Sequence, residues 1–174
     1  MFIKAPLLRS FSLDLKESSM IKTNAMRIIE KGNINYTAHE YEPSKGVGAL
    51  FTAEYLEKSP DVVFKTLVTV APTREHFVFV VPGARELDLK KAAKAAGVKS
   101  VEMIAQKELL PLTGYVHGGC SPVGMKKAFK TYFDSSALNF DTICLSGGKI
   151  GLTLELNAKE LATFINAGFA DLTM

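Results

Sequence analysis

A lysine stands in the middle of an apolar run, Val62-Val63-Phe64-Lys65-Thr66-Leu67-Val68-Thr69-Val70. Alternate residues of a strand share a face, so Lys65 points with Val63 and Leu67, while Phe64, Val68 and Val70 point the other way with Thr66. Neither face reads as a solvated one. Burying an unpaired ammonium costs several kcal/mol even after relaxation. That cost is tolerable where the lysine lines a cavity and meets an anion or a polar substrate. An edge strand offers two other accounts: the lysine snorkels its head to water, or it blunts pairing along the edge.

The second chemical feature is the loop Gly118-Gly119-Cys120-Ser121-Pro122-Val123-Gly124. Paired glycines let backbone N–H groups approach a ligand with no Cβ in the way, and such donors can form an oxyanion hole or hold a carbonyl. A tight turn or a bulge that needs positive φ would use the same residues. Ser146-Gly147-Gly148-Lys149 permits the same two readings. Neither segment has the length or the Gly-Lys-Ser/Thr ending of a phosphate-cradling loop.

His117, Cys120 and Ser121 lie close together in sequence, which suggests a nucleophile and its base. Proximity along an extended segment does not ensure hydrogen-bond reach, and no neighbouring carboxylate orients the imidazole. Paired carboxylates for acid/base work do not form a motif either. A protein nucleophile is therefore not expected.

The surrounding pattern says what must position these groups. A helix is expected over Asn24 to Lys31, capped by Thr23 or Asn24 and stopped at Gly32, with Met26, Ile29 and Ile28 inward. A short strand over Tyr36 to Tyr41 follows, then a helix over residues 49–58 with Leu50, Phe51 and Tyr55/Leu56 as its buried side. The Lys65 strand pairs with His76 to Val81 through the hairpin at Ala71–Glu75. Leu87 to Ala96 forms a helix that buries Leu89, Ala92, Ala93 and Ala96, exposes Lys90, Lys91 and Lys94, and ends at Gly97. A strand at Val101–Ile104 precedes a short helix that Pro111 limits. Three further strands fall near residues 129–133, 141–146 and 151–156. Asn157 caps a last helix, with Glu160 as its box partner and Gly168 as its stop. The elements do not alternate as βαβ units. The expected class is α+β: a mixed, largely antiparallel sheet, curled towards a barrel, with flanking helices.

The chain of 174 residues is one domain's worth. Its 47% apolar and 22% charged content fits an ordinary globule. No stretch approaches the roughly 20 apolar residues of a membrane span. Cys120 and Cys144 make neither a disulfide framework nor, with three scattered histidines, a zinc spacing, so a reducing, cytoplasmic setting is expected. The net charge is only +3. Between Arg85 and Lys130, however, nine Lys/Arg stand against four Asp/Glu, a bias that suits either a solvated helix face or contact with phosphates. Residues 1–19 read as a poorly ordered extension, and residues 20–174 as the domain.

Four segments occur together in one order: Phe64-Lys65-Thr66-Leu67-Val68, Leu89-Lys90-Lys91-Ala92-Ala93-Lys94, Gly118-Gly119-Cys120-Ser121-Pro122-Val123-Gly124-Met125-Lys126-Lys127, and Ser146-Gly147-Gly148-Lys149. In that set the chain resembles the YbaK family of aminoacyl-tRNA deacylases, related to the editing domain of prolyl-tRNA synthetase, and is most similar to its Cys-tRNA(Pro) deacylase branch. The resemblance covers about residues 20–174. It implies hydrolysis of cysteine mischarged onto proline tRNA, in trans, beside prolyl-tRNA synthetase and without a cofactor or metal. By the same resemblance Lys65 is the central site lysine, and Gly118 supplies the backbone contact that positions the ester. Tyr41 and Thr66 line the pocket, Gly119, Ser121 and Pro122 belong to its wall, and Gly147, Gly148 and Lys149 lie at the rim. The family's chemistry is substrate-assisted, the cysteinyl thiol attacking its own ester carbonyl.

Two positions depart from the family pattern. Gly46-Val47-Gly48 stands where a bulkier residue is common, which opens the pocket to other small amino acids such as alanine. Cys120 replaces an apolar residue and is read as a small packed hydrophobe. A non-catalytic module that binds aminoacyl-tRNA or the synthetase is the alternative of a different class.

Overall fold

The computed structural model describes residues 21–174; the expected extension over residues 1–19 lies outside them. Five α-helices and eight strands are present among the described residues. The segment His76–Pro82 (β3) explains the architecture. Its residues are nearly all apolar because both faces of the strand are buried: Val78 and Val80 on one side, Phe77, Phe79 and Val81 on the other.

Phe64–Val70 (β2) pairs antiparallel with β3, placing Lys65 opposite Val81 and Leu67 opposite Phe79. Glu102–Met103 (β4) adds to the free edge of β2. Lys130–Asp134 (β5) pairs parallel with β3, and Gly168–Ala170 (β8) parallel with β5. The resulting order is β4-β2-β3-β5-β8. A second, antiparallel sheet runs β1-β7-β6, from Tyr36–Glu40 (β1), Leu152–Leu156 (β7) and Ile143–Ser146 (β6). A bridge between Val63 and Cys144 joins the sheets. The class is therefore α+β with a mixed, largely antiparallel arrangement; the curl is two joined sheets and not a closed barrel.

The main core packs between the sheets, with Phe64, Val68, Val78, Val80 and Phe133 from one against Leu145, Leu152 and Leu154 from the other. Asn24–Lys31 (α1) adds Ala25, Met26 and Ile29 to it. Its Thr23 cap accepts from Met26 N at 3.2 Å and donates to Gly147 O at 2.6 Å. The outer face of the larger sheet is covered by Leu89–Ala96 (α3), through Ala92 and Ala93. Asp88 caps that helix, and Gly97 ends it at φ +72°.

Four local expectations change. Ala49–Tyr55 (α2) buries Thr52 and Ala53, not Leu50 and Tyr55, which are exposed. With only seven residues, it fits Ala53 against Val63 and Cys144 and turns its larger side chains outward. Leu89 is likewise exposed, since the stripe of α3 is two alanines wide. Gln106–Thr113 (α4) continues through Pro111. Proline removes one donor, but the last turn is held by Gly114 N to Leu110 O and by the Thr113 hydroxyl to Leu109 O. Finally, Ala158–Phe164 (α5) ends before Gly168, which opens β8 instead.

Candidate active site

The cavity lies where β2, α2, α4 and the loop after α4 meet, with a volume of about 250 Å³. Lys65 and Thr66 line it from β2, Tyr41 from the end of β1, Ala49 and Thr52 from α2, and Gly118 and Cys120 from the loop. Residues from both faces of β2 thus contribute. The Lys65 amine donates to Gly83 O at 3.3 Å, outside the cavity lining, and its side chain remains 27% exposed. The neighbouring Thr66 Oγ1 is buried and has no hydrogen-bond partner. A buried hydroxyl left unmatched costs about 1–3 kcal/mol.

Residues 115–124 form a fixed loop. Tyr115 donates its hydroxyl to Val123 O, and burial pushes that phenol up to about 12. Ser121 is fully buried and accepts from Val123 N at 3.1 Å. Gly119 N donates to Val116 O at 2.9 Å, so this glycine's N–H serves the turn. Gly118 lines the cavity, and its N–H makes no hydrogen bond to a described residue. Gly119, Ser121 and Pro122 lie behind that wall, where a Cβ on Gly119 would stand 2.9 Å from Ile150 N.

The second diglycine is the β6–β7 hairpin. Gly147 N donates to Leu152 O, and Gly148 N to the Ser146 hydroxyl. Gly148 packs against Tyr115, Thr23 and Ala25, and Lys149 pairs with Glu40 at 3.7 Å. None of Gly147, Gly148 and Lys149 lines the cavity, whereas Ser146 does. The structure therefore brings Lys65, Thr66, Tyr41 and Gly118 together and sets the other predicted residues in the supporting shell.

Sequence reasoning missed Thr52, Leu109, Ser146 and Thr153 as wall residues. Ser146 adjoins a glycine pair that reads as a ligand loop, but nothing local marks Leu109. His117 also lines the cavity, exposed. Cys120 is in the wall, yet burial pushes its thiol up to about 12, against a smaller lowering by Thr113. That thiol stays protonated at neutral pH and is a poor nucleophile.

Among the described residues, a chamber lined by Lys65 and by Gly118 with its unpaired N–H suits an uncharged polar group that develops negative charge, as an ester carbonyl does. On this α+β scaffold the cavity is a candidate site for acyl transfer. Residues 49–164 match the model of the aminoacyl-tRNA editing domain. A protein of Enterococcus faecalis named "Putative Cys-tRNA(Pro)/Cys-tRNA(Cys) deacylase EbsC" is 43% identical over 159 residues, covering 91% of this chain and 97% of the relative. A crystal structure of "a putative trans-editing enzyme for prolyl tRNA synthetase" superposes with TM-score 0.77 at 25% identity, over 88% of this chain and 99% of that one. A hypothetical protein of known structure shares the fold, with TM-score 0.78 at 24% identity over 85% and 97% of the two chains. The chain belongs to the aminoacyl-tRNA editing domain family, and it is an enzyme of aminoacyl-tRNA hydrolysis.

Proposed function

We propose that the protein clears cysteine mischarged onto proline tRNA, in trans, with the substrate's own thiol as nucleophile. One observation carries this reading: the cavity is lined by Lys65 and by Gly118, whose N–H is unpaired among the described residues, while the thiol of Cys120 in its wall is buried and held neutral. The chemistry then has to come from the substrate. The cysteinyl sulfur attacks the ester carbonyl carbon and gives up its proton to water. Collapse breaks the bond to the ribose oxygen, which leaves with a proton as the free tRNA hydroxyl. Water opens the resulting thiolactone to cysteine.

In this scheme Lys65 favours the developing thiolate or oxyanion, and the Gly118 N–H meets the carbonyl oxygen. Thr66 and Tyr41 set the acyl group against the wall. Gly119, Ser121 and Pro122 keep Gly118 in place, while Gly147, Gly148 and Lys149 hold the hairpin that backs it. Placement of thiol against carbonyl supplies much of the acceleration. The working unit is residues 20–174, acting in the cytoplasm beside prolyl-tRNA synthetase.

Release of cysteine from Cys-tRNA(Pro) tests the reading. Serine on the same tRNA lacks only the sulfur, and its ester should be cleaved roughly 100-fold more slowly or worse. Equal rates would remove the thiol from the mechanism, and full activity in Lys65→Ala would remove the lysine. The name of the Enterococcus relative supports a second substrate, cysteine on its cognate tRNA. A panel of charged tRNAs, with alanine on proline tRNA included because Val47 is small, separates these choices.

A further inference from the structure

We propose that Tyr55, backed by Phe51, is a stacking platform for the terminal adenine of the tRNA. The proposal rests on reading the cavity as an aminoacyl-ester site, and it assigns the other half of that ester. At about 250 Å³ the cavity is small for an acyl group and a whole nucleoside together. In this proposal the base lies outside, within a ribose's reach of the wall.

Three rings form one connected surface there. Tyr41 lines the cavity and lies 5.3 Å from Phe51 and 5.4 Å from Tyr55, measured between ring centroids. Phe51 and Tyr55 stack at 6.1 Å with 29° between their planes. The layer has a floor, because Phe51 lies on the backbone of Gly46, where a Cβ would stand 2.4 Å from the ring. Its outer member is uncovered. Tyr55 is 47% exposed, and its hydroxyl makes no hydrogen bond among the described residues. The aromatic surface thus runs without a break from a buried wall residue of the cavity to solvent.

Charge selects a base rather than the phosphate backbone as the occupant. Glu54 and Glu57 are exposed on and beside the same helix and repel phosphates, whereas a neutral purine face is indifferent to them. Base–aromatic stacking needs no hydrogen-bond readout and is sequence-tolerant.

The chain contains no tryptophan, so Tyr55→Trp installs a sole fluorescent reporter on the platform. Titration with AMP and with the trinucleotide CCA is expected to quench it saturably, CCA at the lower concentration. In turnover of Cys-tRNA(Pro), Tyr55→Ala should raise KM about tenfold or more with kcat unchanged, and Tyr55→Phe should restore the wild-type KM. No quenching by either nucleotide, an unchanged KM in Tyr55→Ala, or a fluorescence change that follows protein concentration alone, as self-association would give, overturns the proposal. Should the wild type fail to release cysteine, the substrate reading falls while the titration still decides the platform.

Discussion

Lys65 Nζ lies 3.6 Å from Glu86 Oε2, and the pair is lopsided: the glutamate side chain is 78% exposed, the lysine 27%. An ion pair with one partner in water contributes about 0–1 kcal/mol, so it does not explain why the lysine is there. Glu86 is instead a removable counter-charge over Lys65, the one lysine that lines the cavity among the described residues. Glu86→Gln is expected to leave the urea midpoint almost unmoved. It should lower KM for aminoacyl-tRNA about two- to fivefold at low salt, and less as salt screens the charge. An unchanged KM at every ionic strength would show that Glu86 does not compete with substrate for Lys65.

The wall thiol makes a contrasting prediction. Cys120 is buried and protonated at neutral pH, so Cys120→Ala should keep kcat within about threefold and cost roughly 1 kcal/mol in stability for the lost packing. Alkylation of native protein at pH 8 should be slow, and fast once the chain is unfolded. A kcat loss of two orders would mean that the thiol takes part.

At Gly119 the constraint is steric. A Cβ there would meet Ile150 N at 2.9 Å and the Lys149 carbonyl carbon at 3.0 Å, both backbone atoms that cannot swing aside. Gly119→Ala is expected to destabilise by about 1–3 kcal/mol, read as a lower Tm, and to reduce kcat because Gly118 moves with it. Gly97→Ala is the control. That residue sits at φ +72° with nothing within 4 Å, so the change should cost about 1 kcal/mol and leave turnover untouched.

These two glycines also show where the sequence is legible. Gly97 follows an amphipathic stripe, a local pattern that reads correctly as a helix stop. Gly119 marks a close approach, but what it approaches is a hairpin 30 residues on, which no local pattern names. Lys65 was visible for a similar reason: its charge contradicts its neighbours, and the contradiction is local. The inward side of α2 was not, because Phe51 and Tyr55 obey no core; they border an opening. Nor was β8, a three-residue edge strand anchored by the buried Asp134, whose carboxylate accepts from Leu172 N at 2.9 Å. Gly147 and Gly148 resemble a ligand loop in sequence, and only the Thr23 hydrogen bond to Gly147 O shows them fastening α1.

Glu155, a carboxylate away from the cavity, ties the stability of the fold to pH. Glu155 accepts from His39 Nε2 at 3.0 Å, from Thr142 Oγ1 at 2.8 Å and from Lys58 Nζ at 3.3 Å. Burial alone would raise its pKa, but the His39 and Thr142 hydrogen bonds, with the charge and hydrogen bond of Lys58, outweigh burial and hold the carboxyl below its ordinary 4.5. The unfolded chain then binds this proton more tightly than the folded one. The stabilisation is complete above about pH 4.5 and is lost as pH falls from there through the folded value. Wild type should exceed Glu155→Gln in unfolding free energy by about 1–3 kcal/mol at pH 7, with the gap narrowing below pH 4.5. A gap that stays constant to pH 3 would mean that the side chain acts by shape and not by charge. Lys58 also bonds Ala53 O through its backbone N–H at 2.9 Å, so the network tethers the end of α2 to the smaller sheet. Because Thr52 and the stacked rings sit on that helix, Glu155→Gln should raise KM for aminoacyl-tRNA at pH 7 although Glu155 does not line the cavity.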